Sequence, residues 1–130
     1  MLEPWQCILA NTTFPFVSTE VFITEAQTDK VVLLAHDWVP DERPHWSPPV
    51  RTYMGAWAHN MTLALAAAMA PSSRAGVFSP ACFIHTGFEA DAPRIGGRAY
   101  LRAFTDWYFD RVPVKLRDEC GILCNPNCTR

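Results

Sequence analysis

Two side chains in this sequence could take part in proton transfer, and each follows a predicted strand. His85 lies near the end of the stretch 76–87, where Val77 and Phe78 predict a short buried strand that Pro80 interrupts. A histidine fixed by a strand but presented on a loop is well placed to act as a base. Asp29 follows an earlier β-rich stretch, 17–24, at the kind of position where open α/β sheets place functional groups.

Each of these residues also has a purely structural interpretation. His85 could be a hydrogen-bonded histidine of the core, and Asp29 could cap the N-terminus of a turn or helix over residues 30–35. The residues alone leave both interpretations open.

The elements around these residues predict an α/β fold with parallel strands and flanking helices. Continuous apolar character over 21–23 is typical of a strand covered on both faces. Helical spacing predicts a helix over 50–70, with apolar positions at Tyr53, Trp57, Leu63 and Ala67, and a stop at 71–73. A second amphipathic helix is predicted over 98–109, and its expected buried stripe is Tyr100, Leu101, Phe104, Trp107 and Tyr108.

The composition excludes several classes of function. The chain has 130 residues, 49% of them hydrophobic and 18% charged, which indicates a globular domain rather than a disordered segment. A net charge of -2 and the lack of a Lys/Arg cluster argue against binding to nucleic acid or to an anionic membrane. No apolar run approaches the ~20 residues that span a bilayer, so no membrane span is predicted.

Five cysteines and three Asn-x-Ser/Thr acceptors, at Asn11, Asn60 and Asn127, indicate a secreted protein or one of the secretory pathway. The first residues nevertheless lack the basic and apolar regions of a signal peptide, which predicts that the front of the protein is missing. Cys120, Cys124 and Cys128 do not have zinc-site spacing and no histidine is nearby, so we predict disulfides, with no metal and no cofactor.

One cysteine of the five must remain unpaired within the chain. Cys82, in an apolar strand-to-loop segment, is the predicted free thiol. Cys7 would then either bridge to the C-terminal cysteines or have a partner outside this sequence.

The loop 36–49 is rich in proline and aromatic residues and has no periodicity. Its tryptophans, Trp38 and Trp46, require burial or a ligand, so the loop either packs on the body of the domain or faces a substrate. The histidines His36, His45 and His59 are dispersed and are predicted to be surface or packing residues.

The order strand, acid, helix, strand, histidine, helix resembles the second half of an α/β-hydrolase, in which nucleophile, acid and base follow one another as Ser, Asp or Glu, and His. Four motifs in register resemble the pectin acetylesterases and their animal relatives of the Notum type. They are the segments at 22–29, which ends in Asp29, at 79–85, which ends in His85, at 106–111 (Asp-Trp-Tyr-Phe-Asp-Arg), and at 120–128, which contains Cys-Asn-Pro-Asn-Cys.

This resemblance implies that Asp29 and His85 are the acid and base of a Ser-His-Asp triad. It further implies that the substrate is an acetylated polysaccharide or another ester. A competing register would place Thr24 at the acid position, which chemistry disfavours; Asp37 is the next carboxylate to consider.

The sequence also departs from the family pattern. It has no Gly-x-Ser-x-Gly elbow and no glycine-rich oxyanion segment, and Ser79, which precedes Pro80, is interpreted as a turn hydroxyl. Residues 1–130 are therefore predicted to form the C-terminal portion of an ester hydrolase whose nucleophile half is missing, inactive alone. The alternatives are a non-catalytic secreted carbohydrate-binding or interaction module that uses Trp38 and Trp46, and a structural remnant without a ligand.

Overall fold

The computed structural model describes residues 3–41, 45–85, 88 and 91–128. Residues 42–44 of the predicted loop, Thr86 and Gly87 after the histidine, and Thr129 of the third glycosylation acceptor lie outside the described residues. The strands are β1 (Phe22–Thr24), β2 (Thr28–Asp29), β3 (Gly76–Ser79), β4 (Phe83–Ile84), β5 (Arg94–Ile95), β6 (Arg98–Ala99) and β7 (Lys115–Arg117). The α-helices are α1 (Ala10–Thr13), α2 (Pro48–Ala64), α3 (Ala66–Met69) and α4 (Tyr100–Tyr108).

The core is a parallel sheet in the order β1-β3-β7, with helices on both faces. Successive side chains of the fully buried strand β3 point to opposite faces of the sheet. Val77 packs with Leu65 and Ala68 at the end of the long helical segment, whereas Phe78 packs with residues of α4. The predicted α/β class, with parallel strands and flanking helices, is therefore confirmed.

Two short parallel strands continue the line of β1 and β3. The peptide N–H of Glu25 donates to the carbonyl of Phe78, and that of Gln27 donates to the carbonyl of Pro80. Beyond this point β2 pairs with β4 in parallel, and Thr28 lies opposite Phe83. Between the β1–β3 pairing and the β2–β4 pairing, the chain that leads from β3 to β4 has one more residue than the chain that leads from β1 to β2. The chain from β3 to β4 therefore bulges around Pro80, which has no N–H to donate to a ladder.

The prediction that residues 21–23 form a strand covered on both faces is wrong in burial and one residue out in position. Strand β1 begins at Phe22 and all three of its residues are half-buried, because it forms one edge of the described sheet. The strand covered on both faces is the central one, β3.

The predicted helix over 50–70 is two helices separated at Leu65. Helix α2 begins earlier, at Pro48. Proline is tolerated in the first turn, because the backbone N–H groups there have no intrahelical acceptor and its missing N–H is not needed. The buried side chains are Met54, Leu65 and Ala68, whereas Tyr53 and Leu63 are exposed. Of the predicted positions, Trp57 packs against the core, whereas Ala67 is exposed like Tyr53 and Leu63. The expected apolar face was therefore only partly correct, since the alanine-rich segment provides little contrast between its faces.

Helix α4 is shorter than the predicted 98–109, because residues 98 and 99 belong to a hairpin. Gly96 and Gly97 form its two-residue turn, and both have positive φ (56° and 82°), a conformation that glycine adopts without strain. Ala103 and Trp107 of α4 are buried, but Leu101 and Tyr108 of the predicted stripe are about half exposed.

The prediction that Cys82 is the free cysteine is wrong. Cys82 forms a disulfide with Cys128, and Cys120 pairs with Cys124. The thiol left over is Cys7, which is exposed. Cys82 is fully buried because the C-terminal tail, which carries its partner Cys128, packs over it.

Candidate active site

Asp29 and His85 meet at the carboxyl ends of the parallel strands β2 and β4. Asp29 is the last residue of β2 and is paired with Ile84, the last residue of β4, so that His85 follows immediately beside it. Nδ1 of His85 lies 2.7 Å from Oδ2 of Asp29. The parallel pairing of two short strands thus joins residues that are 56 positions apart.

The second oxygen of the Asp29 carboxylate binds the backbone that follows it. Oδ1 accepts hydrogen bonds from the N–H groups of Val31 (2.8 Å) and Val32 (3.0 Å), the pattern of a helix cap. The structural interpretation of Asp29 as a cap is therefore correct, and it coexists with the contact to His85. Because the cap fixes the carboxylate, Oδ2 is held towards the imidazole.

The two side chains differ in exposure in a way that suits a base and its orienting acid. The Asp29 side chain is 13% exposed, while that of His85 is 49% exposed. Within the described part of the chain, Nε2 of His85 makes no hydrogen bond. One ring nitrogen thus faces a largely buried carboxylate and the other is available to a reacting group.

A third ionisable group, Glu25, lies in the loop between β1 and β2. Partial burial is the main reason why the pKa of Glu25 is raised above its ordinary value. The negative charge of Asp29 raises this pKa further, and the nearby His85 opposes the rise. Sequence reasoning did not assign Glu25 a role, although it begins the Glu-Ala-Gln segment that precedes Asp29.

Asp118, directly after β7, holds together the segments that carry Asp29 and His85. Its Oδ2 atom accepts from the N–H of Ala81 (2.8 Å) and from the side-chain amide of Asn125 (2.6 Å). Its carbonyl accepts from the buried side chain of Gln27 (2.8 Å), which also donates to the carbonyl of Ser79. This cluster links both strand ends with the C-terminal tail.

Sequence reasoning missed this cluster, although one signal was present. The tail motif Cys-Asn-Pro-Asn-Cys was considered for its cysteines, but its buried asparagine, Asn125, makes the structural contacts. The disulfide from Cys128 to Cys82 anchors the same tail three residues before His85. Hydrogen bonds and a covalent bond therefore both fix the approach to the histidine.

Ser79 is the last residue of β3, so its interpretation as a turn hydroxyl is wrong. It is fully buried, and its Oγ atom has no hydrogen-bond partner among the residues described. A buried strand hydroxyl without a base beside it is not presented as a nucleophile.

Asp37, the carboxylate considered after Asp29, accepts a hydrogen bond from the Tyr53 hydroxyl at 2.7 Å. This hydrogen bond is the main reason why the pKa of Tyr53 is raised above its ordinary value. Of the three residues considered for the acid position, Asp29, Asp37 and Thr24, Asp29 is the one that contacts His85. The remaining histidines, His36, His45 and His59, are all exposed, as predicted.

The two tryptophans of the proline-rich loop have different environments. Trp46 is buried, donates its indole N–H to the carbonyl of Pro40 at 2.8 Å, and packs edge-on against Phe83. Trp38 is 84% exposed. The expectation that the loop packs on the body thus holds for Trp46, which supports the strand that carries His85.

No group of three or more His, Cys, Asp or Glu side chains in the described ranges has an arrangement that could hold a metal ion. None of the described helices has both the length and the apolar character needed to cross a bilayer.

Comparison with known proteins relates the chain to one family. A family model described as Pectinacetylesterase matches residues 1–129. Pectin acetylesterase 5 of Arabidopsis thaliana is 38% identical over 60 residues, which cover 41% of this chain and 14% of that protein. The aligned region is thus a small part of the length of that relative.

Proposed function

The chain belongs to the pectinacetylesterase family, and on that premise we propose that His85 and Asp29 are the base and the orienting acid of a serine-dependent carboxylic-ester hydrolase. The observation that carries the proposal is the 2.7 Å contact from the His85 Nδ1 to the Asp29 Oδ2, with the histidine half exposed.

In the proposed reaction, Nε2 of His85 takes the proton of a serine hydroxyl as its oxygen attacks the ester carbonyl. The carboxylate of Asp29 holds Nδ1–H and stabilises the imidazolium that forms. The same Nε2–H then protonates the leaving alcohol, and an acyl-enzyme remains. A water molecule, deprotonated by Nε2 of His85, then attacks the acyl carbon; the bond to the serine oxygen breaks, His85 returns the proton to that oxygen, and the acid is released with the serine and the histidine restored.

The serine and the oxyanion donors are proposed to come from sequence outside these 130 residues. The chain contains no Gly-x-Ser-x-Gly elbow, and Ser79 is buried in β3. Residues 1–130 would then be the C-terminal portion of an α/β-hydrolase domain and would have no activity alone.

The proposed substrate is an acetylated polysaccharide such as pectin, or another ester, and the proposed location is outside the cell or in the secretory pathway. The two disulfides support an oxidising compartment, and the three glycosylation acceptors agree with it. A non-catalytic carbohydrate-binding module is a weaker alternative, because only Trp38 of its two tryptophans is exposed to a ligand.

The test is histidine replacement in the complete enzyme that contains this segment, with p-nitrophenyl acetate as the substrate. His85→Ala is expected to reduce hydrolysis to the background rate with little change in melting temperature, since the ring is half exposed. His59→Ala, at an exposed position of α2, is the matched control and should retain the activity. Equal activity of the two variants would remove His85 from the mechanism.

A further inference from the structure

Helix α2 carries one of the three Asn-x-Ser/Thr acceptors, Asn60-Met61-Thr62, in its second half. Asn60 is exposed. Ala56 and Leu63, at i-4 and i+3 from Asn60, are exposed beside it, and Leu63 is 59% exposed. The acceptor asparagine therefore lies at the centre of an apolar face that no described element covers.

The opposite face of α2 is the one that packs on the domain. Met54 is fully buried and Met61 is half-buried on that side, so the residue between Asn60 and Thr62 points towards the body. The side chain of Thr62 donates to the carbonyl of Ala58 at 3.1 Å, within its own helix. Among the described residues, neither Asn60 nor Thr62 makes a side-chain hydrogen bond to another element that a modification would break.

We infer that Asn60 carries an N-linked oligosaccharide, and that the glycan covers the α2 face formed by Ala56, Asn60 and Leu63. In the transfer step, the Asn60 amide nitrogen attacks the anomeric carbon of a lipid-linked oligosaccharyl pyrophosphate. A carbon–nitrogen bond forms, the bond from that carbon to the pyrophosphate oxygen breaks, the lipid pyrophosphate leaves with the electron pair, and the amide loses one proton.

A glycan at this position explains how an apolar helix face can remain in contact with water. A hydrophilic glycan shields Leu63 and the neighbouring alanines, and its bulk prevents another protein surface from packing closely on them.

The inference rests on the proposed secretory location but not on the proposed hydrolysis. The test is expression of the complete protein that contains this segment, behind a cleavable signal peptide in a eukaryotic host, followed by peptide-N-glycosidase treatment and peptide mass spectrometry of the lumenal and secreted pools. Asn60 is expected to be converted to Asp by the glycosidase. Thr62→Ala should abolish this conversion, whereas Thr62→Ser, which keeps the hydroxyl of the acceptor, should retain it.

Unmodified Asn60 in a wild-type chain whose disulfides have formed would overturn the inference and leave the proposed hydrolysis untouched. Conversely, a glycosylated Asn60 in a complete protein that hydrolyses no ester would contradict only the proposed function. Asn60→Gln is the second variant and should lose the same glycan as Thr62→Ala.

Discussion

Oδ1 and Oδ2 of Asp29 have separate partners: one caps the turn that begins after β2, and the other lies 2.7 Å from Nδ1 of His85. A single carboxylate is thus both a local backbone cap and a long-range contact. Because the carboxylate has both roles, replacing Asp29 with the nearly isosteric asparagine should affect them differently.

In Asp29→Asn, the amide oxygen can keep the cap by accepting from Val31 and Val32, which turns the NH₂ group towards His85. The imidazole must then accept at Nδ1, so that Nε2 carries the proton and cannot act as a base. We expect kcat of the complete enzyme to fall by about four orders of magnitude, with little loss of stability. Stopped-flow or steady-state kinetics with an acetate ester measure kcat.

Asp37→Asn is the control for that variant, because Asp37 binds Tyr53 and not His85. It is expected to retain kcat within about threefold. A larger loss in Asp37→Asn than in Asp29→Asn would show that a different carboxylate serves the base.

Asp118→Ala should destabilise the chain, because the N–H of Ala81 and the amide of Asn125 lose their acceptor in a partly buried site. We expect the free energy of unfolding to fall by about 2–4 kcal/mol. Denaturant titration measures it, and Glu119→Ala, at a neighbouring and 75% exposed side chain, should change it by less than about 1 kcal/mol. Equal effects of the two substitutions would refute the role given to the Asp118 cluster.

The two disulfides should differ in their contribution to stability, because they close loops of different length. Cys82 and Cys128 are 46 residues apart, and Cys120 and Cys124 are 4 apart. The chain-entropy relation gives about 4 kcal/mol for the first and about 2 kcal/mol for the second. Replacing both cysteines of one bridge with serine, and measuring thermal and denaturant unfolding, gives the stability that each bridge contributes. A larger loss of stability from removal of the short bridge would contradict the prediction.

Gly76 has no room for a side chain. A Cβ atom there would lie 2.7 Å from Cε2 of Phe22 and 3.0 Å from Cδ1 of Trp107, in the buried centre of the sheet. Gly76→Ala is expected to lower stability by about 1–3 kcal/mol. A Cβ atom at Gly55, in α2, would lie 3.9 Å from Ile122, which is an ordinary contact. Gly55→Ala should therefore raise stability by up to about 1 kcal/mol, because alanine favours the helix. Calorimetry is expected to show changes in stability of opposite sign for the two variants.

Glu25→Gln should stabilise the chain at neutral pH. The folded-state pKa of Glu25 is raised from its ordinary 4.5, chiefly by burial, so the folded chain holds this proton more tightly than the unfolded chain does. The stability contributed by this group is complete below pH 4.5 and is lost as the pH rises through the folded-state pKa. We expect the variant and the wild type to have equal stability near pH 4 and the variant to be more stable at pH 7.

Unfolding measured across this pH range tests the Glu25 expectation. Glu119→Gln, at the exposed side chain already used as a control, should show little change at either pH. A wild type that is more stable than Glu25→Gln at pH 7 would mean that attraction to His85 outweighs the burial of the carboxyl.

The sequence by itself determined the α/β class, the order of acid and histidine, and the identities of Asp29 and His85 as the pair to examine. The fold class and the placement of the two residues at strand ends depend on local patterns, which neighbouring residues specify directly. The roles of Asp29 and His85 as acid and base were implied by the resemblance to the pectin acetylesterases. The alternation of Val77 and Phe78 between two faces follows from the same local geometry.

Only the tertiary structure decided which cysteines pair, which helix face is buried and what holds the two strand ends together. Cys82 was expected to be free because its own segment is apolar, but its partner arrives from 46 residues away. The exposed Tyr53 and Leu63 show the same limit, since an alanine-rich helix has several faces that could pack and the sheet selects one. Asp118 and Asn125 have no local signature, because their hydrogen-bond partners become neighbours only when the chain is folded.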